Sequence, residues 1–198
     1  KNAEVPYVLL GRHFENENDD FVVCDDYNSG YVAANHLISE GHEKILFLSG
    51  EQYISSSRER LCGIKDAFEN ARIDINRLKV ESVPTVTFSD SSLMKELLLK
   101  NPDCTGIIAF SELVAMQVCY AAWLVGKRVP QDLSVIGFDN IVSKFCLPVL
   151  LSSVSSSKTK MSHEAVDILM KKISDGEVTL RQIVLPTQII LRETTRKL

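Results

Sequence analysis

The chain has 198 residues, of which 45% are hydrophobic and 24% are charged. These proportions are typical of a globular protein, and the length suits one large domain or two small lobes. Because the formal net charge is −4 and the lysine and arginine residues are scattered, the sequence excludes a basic surface for direct binding of duplex DNA.

Short apolar runs alternate with segments of helical periodicity, which predicts strands and helices around a parallel sheet. In chain order, the sequence predicts strands at 7–10 and 21–24, a helix at 28–40, a strand at 45–48, a helix at 58–71, a strand at 106–110, a helix at 113–124 and a strand at 133–138. After a serine-rich crossover, a helix is predicted at 159–174. Two late strands follow at 183–185 and 187–191, split by Pro186.

The five cysteines are widely separated, with no C-x-x-C pair and no histidine at zinc-ligand spacing. Their odd number argues against a complete set of disulfides, so we interpret them as small apolar side chains in a reducing cytosol and expect no metal site. They are Cys24, Cys62, Cys104, Cys119 and Cys146. The apolar stretch 114–125 is interrupted by Gln117 and is too short to cross a membrane, so we expect no membrane partner.

Polar residues follow three of the predicted strands. Arg60 lies beyond the third strand, Ser111 with Glu112 follows the fourth, and Asp139 with Asn140 follows the fifth. Ligands of open parallel sheets bind at the carboxyl ends of the strands, and guanidinium, carboxylate and amide groups suit a polyhydroxylated ligand such as a sugar. Two structural alternatives stay open at this point, namely a helix-surface cation for Arg60 and a turn or capping residue for Asp139.

Motifs of common enzyme classes are absent from the sequence. It contains no G-x-G-x-x-G, G-x-x-x-x-G-K-[ST], G-x-S-x-G or H-E-x-x-H. None of the four histidines has an apparent serine or cysteine partner, so structural roles are favoured for them. We therefore expect a binding protein that is not an enzyme and uses no cofactor.

Five segments, in order along nearly the whole chain, resemble motifs of the lactose/galactose-repressor (LacI/GalR) family of bacterial transcription regulators. Residues 5–12 resemble its IPVVLIDR strand, residues 34–45 its A-x-H-L-I-x-x-G-H-x-x-I signature, and residues 60–64 its R-x-x-G-[FY] helix start. Residues 129–140 are similar to VPxDISVIGFDN, the most diagnostic stretch. Residues 185–195 resemble the closing LPxxLIxRxST strand.

The resemblance implies a periplasmic-binding-protein-like α/β fold of two doubly wound parallel-sheet lobes, with an effector bound in the cleft between them. It assigns Arg60 and Asp139 as the principal effector-binding residues, and Asn28, Ser111 and Phe88 as cleft-lining residues. The effector expected is a sugar, a nucleobase or a phosphorylated metabolite. The resemblance also implies a cytoplasmic homodimer that binds operator DNA only through an N-terminal helix-turn-helix headpiece, with lobe closure controlling that binding.

Two features depart from the family pattern. The family usually has Asn-Asp where this chain has Ser111-Glu112, so the ligand contacts there are expected to differ. The chain also begins within the first lobe, which is therefore expected to be incomplete, with apolar edges that are exposed or covered by a partner. We assign 1–41 plus 152–185 to this partial first lobe, and 42–151 plus 186–198 to the second lobe.

Two other classes of protein are alternatives to an effector-sensing domain. A solute-binding protein of a sugar transporter would share the bilobal fold, and a signal peptide rather than a helix-turn-helix upstream would distinguish it. An enzyme on a flavodoxin-like sheet could use Asp139 as a general base, and turnover of a ligand would distinguish it.

Overall fold

A computed structural model describes residues 5–14, 18–84, 91–141, 149–175 and 179–198. Phe88 and Cys146 lie outside these residues. The elements in chain order are β1 (Leu9–Leu10), β2 (Phe21–Cys24), α1 (Asp26–Ser39), β3 (Ile45–Ser49), α2 (Ser55–Asn70), a 3₁₀ turn (Ile75–Arg77), β4 (Leu78–Ser82), α3 (Ser91–Lys100), β5 (Gly106–Ala109), α4 (Glu112–Leu124), β6 (Ser134–Phe138), β7 (Ser152–Ser156), α5 (Lys158–Asp175), β8 (Gln182–Leu185) and β9 (Thr187–Ile190).

The strands form two sheets. A three-stranded sheet has the order β1-β2-β8, and a six-stranded sheet has the order β4-β3-β5-β6-β7-β9. All neighbouring strands are parallel except β7 and β9, which are antiparallel. The prediction of an α/β fold with two parallel sheets is therefore confirmed.

The central strands β3, β5 and β6 of the six-stranded sheet are buried on both faces, as their largely apolar sequences require. In β3, Leu46 and Leu48 pack with α3 and α4, whereas Ile45 and Phe47 pack with the helices α1 and α2 on the opposite face. Side chains alternate between faces along a strand, so one strand supplies both cores. The sheet therefore lies as a central layer between two pairs of helices.

Helices α1 and α2 approach each other so closely that two glycines are required at their crossing. A Cβ atom built on Gly30 would lie 2.1 Å from the carbonyl oxygen of Arg60, and one on Gly63 would lie 2.0 Å from that of Tyr27. Both distances are far below van der Waals contact. The two glycines thus bring the first turn of α1 beside Arg60 of α2.

Helix α5 covers one face of the three-stranded sheet, where Met161 and Ile168 pack against Val22. On the same sheet Leu10 and Val184 are more than half exposed. This sheet therefore carries apolar side chains that the described residues leave open to solvent.

The chain passes between the two sheets three times, at Asp25, Ser157 and Pro186. These crossings are adjacent, because the Asp25 backbone N–H donates to the Leu185 carbonyl at 2.8 Å and the Cys24 thiol lies 2.7 Å from the Ser156 hydroxyl. A few neighbouring crossover residues are the usual place for a hinge between two lobes.

The helix α1 and the strand β7 belong with the six-stranded sheet, whereas we predicted them for the first lobe. Our assignment of 1–41 and 152–185 to the first lobe included α1 and β7, but β7 pairs with β6 in the six-stranded sheet, and α1 packs on that sheet through Ala33 and Leu37. The reason is that the chain crosses to the larger sheet directly after β2. Of the segment 152–185, α5 and β8 belong with the three-stranded sheet.

Candidate functional site

Polar side chains gather where β5 and β6 end and α1 and α2 begin, around the guanidinium of Arg60. Arg60 lies on the second turn of α2 and is only 8% exposed. Its Nε donates to Asp26 Oδ1 at 2.8 Å, and its Nη2 lies 2.6 Å from the same oxygen. Its Nη1 donates to the carbonyl of Phe110 at 2.8 Å, just beyond β5.

Two aromatic rings hold the Arg60 guanidinium from the side of the sheet. Its central carbon lies 4.1 Å from the ring centroid of Phe138 and 5.4 Å from that of Phe110. A planar cation over an aromatic face is attracted by the ring quadrupole, and the stacking fixes the guanidinium plane. The structure thus places Arg60 at the strand ends as predicted and decides against a solvent-facing surface cation.

Asp26, which sequence reasoning missed, is the partner of Arg60. It is 4% exposed and begins α1. Burial raises the pKa of its carboxyl above the ordinary value, and the adjacent Arg60 guanidinium opposes that rise. A signal was present in the sequence, because Asp25 and Asp26 directly follow a predicted strand, but nothing in it paired either acid with a residue 34 positions later.

Asp139 follows β6 and lies at the same edge of the sheet. Its φ is +95° and that of Asn140 is +50°, which is uncommon for residues other than glycine. The Asp139 backbone N–H donates to the Val154 carbonyl at 2.9 Å, and Lys158 Nζ donates to its carboxylate at 3.1 Å. The ion pair joins the end of β6 to the first residue of α5, so Asp139 connects the two lobes.

Ser111 and Asn28 occupy helix N-termini at this edge. The Ser111 hydroxyl accepts from the Val114 backbone N–H at 3.3 Å and caps α4. Asn28 is half-buried in the first turn of α1, where its backbone N–H donates to Asp25 Oδ1 at 2.8 Å. Both positions place backbone N–H groups near the strand ends, which favours hydrogen-bond acceptors of a ligand. Phe88, the fifth predicted residue, lies outside the described residues.

His13 makes a second contact between the lobes that sequence reasoning did not identify. It follows β1, and its Nε2 lies 2.5 Å from Glu59 Oε1 on α2. Its backbone N–H donates to the Ser55 hydroxyl at 3.2 Å, and its ring stacks on Phe21 at 4.9 Å between centroids. A pocket of about 320 Å³ opens beside it, lined also by Tyr53.

No three His, Cys, Asp or Glu side chains in the described segments come together to hold a metal ion. Over the same segments, no helix combines the length and the apolar character that a bilayer crossing needs.

Comparison with known proteins identifies the fold family. The model of the family described as the periplasmic binding protein-like domain matches residues 34–195, which is most of the chain. The chain belongs to this family. Within it, the relatives of this chain include transcriptional regulators of the LacI type, which confirms the resemblance found in the sequence and the predicted fold.

Three relatives define the similarity. The transcriptional repressor PurR of Photobacterium profundum is 28% identical over all of this chain, which covers 59% of that repressor. A transcription regulator from Lactobacillus plantarum, known from its crystal structure, is 30% identical in sequence to this chain. Its structure superposes with a TM-score of 0.85, over 98% of this chain and 73% of that one. The transcriptional regulator CelR in complex with cellobiose is 28% identical with a TM-score of 0.84, over 96% of this chain and 58% of that one. This domain therefore spans about three fifths of the PurR repressor that it matches.

Proposed function

We propose that this domain senses a small-molecule effector within a bacterial transcription regulator of the LacI/GalR family. The observation that carries the proposal is the buried Arg60 guanidinium, held between Asp26, the Phe110 carbonyl and the Phe138 ring where the strands of the larger sheet end. Parallel-sheet proteins bind small ligands at this edge.

Ligand binding and the regulatory response are linked in this proposal through lobe closure. Asp139 pairs with Lys158 and His13 pairs with Glu59, and both pairs connect elements of different lobes. A ligand that binds one closed arrangement more tightly than others shifts the population toward it. The adjacent crossings at Asp25, Ser157 and Pro186 can serve as the hinge.

We assign effector contacts to four of the described residues. Arg60 and Asp139 bind the ligand, because a guanidinium and a carboxylate can each hold two neighbouring hydroxyls, whereas Ser111 and Asn28 line the cleft. A sugar fits these groups, and the cellobiose complex of CelR supports a sugar for a relative of similar fold.

The proposal favours a regulator over a transport protein, because the relatives are transcriptional repressors and regulators. We infer that operator DNA is bound through a helix-turn-helix headpiece rather than through this acidic domain, whose net charge is −4. Such a protein works in the cytoplasm, where the operator is. Its task is binding and not catalysis.

We also infer that the protein acts as a homodimer. Helix α4 exposes an apolar surface at Leu113, Tyr120, Trp123 and Leu124, and the rings of Tyr120 and Trp123 stack at 5.8 Å between centroids. Contiguous exposed apolar surface of this kind is typical of protein interfaces.

The test of the proposed function uses the full regulator and DNA from its own upstream region. Sugars and nucleobases are first screened for a rise in melting temperature, since a ligand that binds only the native state stabilises it. The compound found is then added to a gel-shift titration with that DNA. A change in DNA affinity supports the proposal. Unchanged DNA affinity at saturating ligand contradicts it.

A further inference from the structure

Acidic side chains surround the guanidinium at the candidate site. Asp26 contacts Arg60 directly, and Glu59 is its neighbour on α2. Asp25 precedes Asp26, and its carboxylate caps α1. Both Glu59 and Asp139 lie close enough to Asp26 for their charges to raise the pKa of its carboxyl. Four carboxylates therefore contribute negative charge around the Arg60 guanidinium.

The lysine and arginine side chains that contact these acids are already paired. Arg60 has Nε and Nη2 directed at Asp26 and Nη1 directed at the Phe110 carbonyl. Lys158 is held by Asp139 at 3.1 Å. Among the described residues, the lysine and arginine ion pairs to these four acids come from Lys158 and Arg60. The donor edge of Arg60 that a phosphate would use is occupied by the buried Asp26 carboxylate.

We propose that this site accepts an uncharged polyhydroxylated ligand and rejects phosphorylated or carboxylated counterparts, with Asp26 as the specificity-determining residue. The inference rests on the proposed function and names the chemical class of the effector within it. The sequence left three effector classes open, namely a sugar, a nucleobase and a phosphorylated metabolite, and we select the sugar.

The physical reason is a difference between hydroxyl and phosphate groups. A hydroxyl can donate to Asp26 or Asp139 and accept from a free N–H of Arg60, so it suits a site of mixed polarity. A phosphate monoester carries close to two negative charges at neutral pH and only accepts hydrogen bonds. It would have to displace the Asp26 carboxylate, which is 4% exposed, and stay beside Asp139 and Glu59. Like charges placed together in this way oppose binding strongly.

The experiment is isothermal titration calorimetry of the purified protein with matched pairs of probes. The pairs are ribose and ribose 5-phosphate, glucose and glucose 6-phosphate, and cellobiose and cellobiose 6-phosphate. We expect at least one uncharged sugar to bind and its phosphate to bind at least about tenfold more weakly. A phosphate that binds more tightly than its parent sugar would overturn this inference and leave the proposed function standing. Failure of every probe to bind would count against both.

The variant Asp26→Asn tests the residue itself. The amide keeps the size of the side chain and removes its charge, so the preference for the uncharged member of the pair should fall by about tenfold or more. Glu69→Gln is the matched control, because it removes the same charge from an exposed position of α2, nine residues and about 13 Å beyond Arg60 along the helix. An unchanged preference in Asp26→Asn would remove Asp26 from this role. The wild-type comparison decides the ligand class even if the variant is unstable.

Discussion

At the scale of single residues, the buried pair of Arg60 and Asp26 dominates the candidate site. Both side chains are almost fully removed from water, so each charge depends on the other for compensation. The pair joins α1 to α2, and in the proposed function it also presents polar groups to the ligand. Substitutions at Arg60 must be interpreted with both roles in mind.

The substitution Arg60→Ala should lower the free energy of unfolding by about 3–5 kcal/mol, because it leaves the Asp26 carboxylate buried without a partner. Urea unfolding followed by circular dichroism measures the change. The double variant Arg60→Met with Asp26→Leu should regain most of the loss, since both charges are then absent. If the single variant is as stable as the wild type, the pair does not carry the stability assigned to it.

A second residue-scale prediction concerns pH. His42 is 1% exposed, with Nδ1 2.9 Å from the Thr105 hydroxyl and Nε2 3.0 Å from the Arg196 carbonyl. Burial lowers the pKa of His42 below its ordinary value. The unfolded chain then binds the proton more readily, so this contribution to stability is complete about one pH unit above the ordinary histidine pKa of about 6.5 and is lost as the pH falls through that value.

We therefore expect the free energy of unfolding to fall between about pH 7.5 and about pH 5, and to fall less in His42→Gln than in the wild type. The control is His163→Gln, at an exposed position of α5. Equal pH dependence in the wild type and His42→Gln would contradict the assignment.

At the scale of elements, the crossing of α1 and α2 sets the position of the site. An alanine in the middle of a helix normally stabilises it by about 0.5–1 kcal/mol relative to glycine. Gly30→Ala should have the opposite effect and destabilise the protein by about 1–3 kcal/mol, because the added methyl group meets the backbone of Arg60. Thermal unfolding compares it with Lys65→Ala on the exposed face of α2. A gain in stability for Gly30→Ala would show that the helices can separate without cost.

Much of this element-scale structure could be predicted from the sequence. The strands β3, β5 and β6 are buried on both faces, so their apolar runs are unambiguous, and the residues that follow them were placed correctly at one sheet edge. The sheet that receives α1 and β7 could not be predicted, because local periodicity does not tell a chain segment which of two neighbouring sheets it joins. The contacts of Arg60 with Asp26 and of His13 with Glu59 span 34 and 46 positions, and single-sequence patterns carry no information on such pairs.

At the scale of the whole molecule, the proposed homodimer depends on the apolar surface of α4. Trp123 is 70% exposed and stacks with Tyr120. The variant Trp123→Glu should shift the protein from dimer to monomer in sedimentation velocity, because a charge at the centre of an apolar interface loses its hydration. Ile75→Glu, at another exposed apolar residue, is the control and should stay dimeric. A wild-type protein that sediments as a monomer at all concentrations would contradict the dimer.

The whole molecule also shows how binding can be transmitted. Two sheets share three adjacent crossings, and Asp139 lies where β6 of the larger sheet meets α5 of the smaller one. A ligand bound beside Asp139 therefore touches both lobes at once. Loss of the Asp139 carboxylate should weaken ligand binding with little effect on stability, since the Lys158 ion pair is partly exposed.

The most direct measurement of the central claim is a calorimetric titration of an uncharged sugar into the wild type, Asp139→Asn and Asp103→Asn. Asparagine tolerates the positive φ at position 139. Asp103 pairs with Lys44 at the amino end of the same sheet and is exposed, so it is a matched control. We predict saturable binding at one site, unchanged in Asp103→Asn and at least about tenfold weaker in Asp139→Asn. Affinity that is the same in all three proteins would contradict the account.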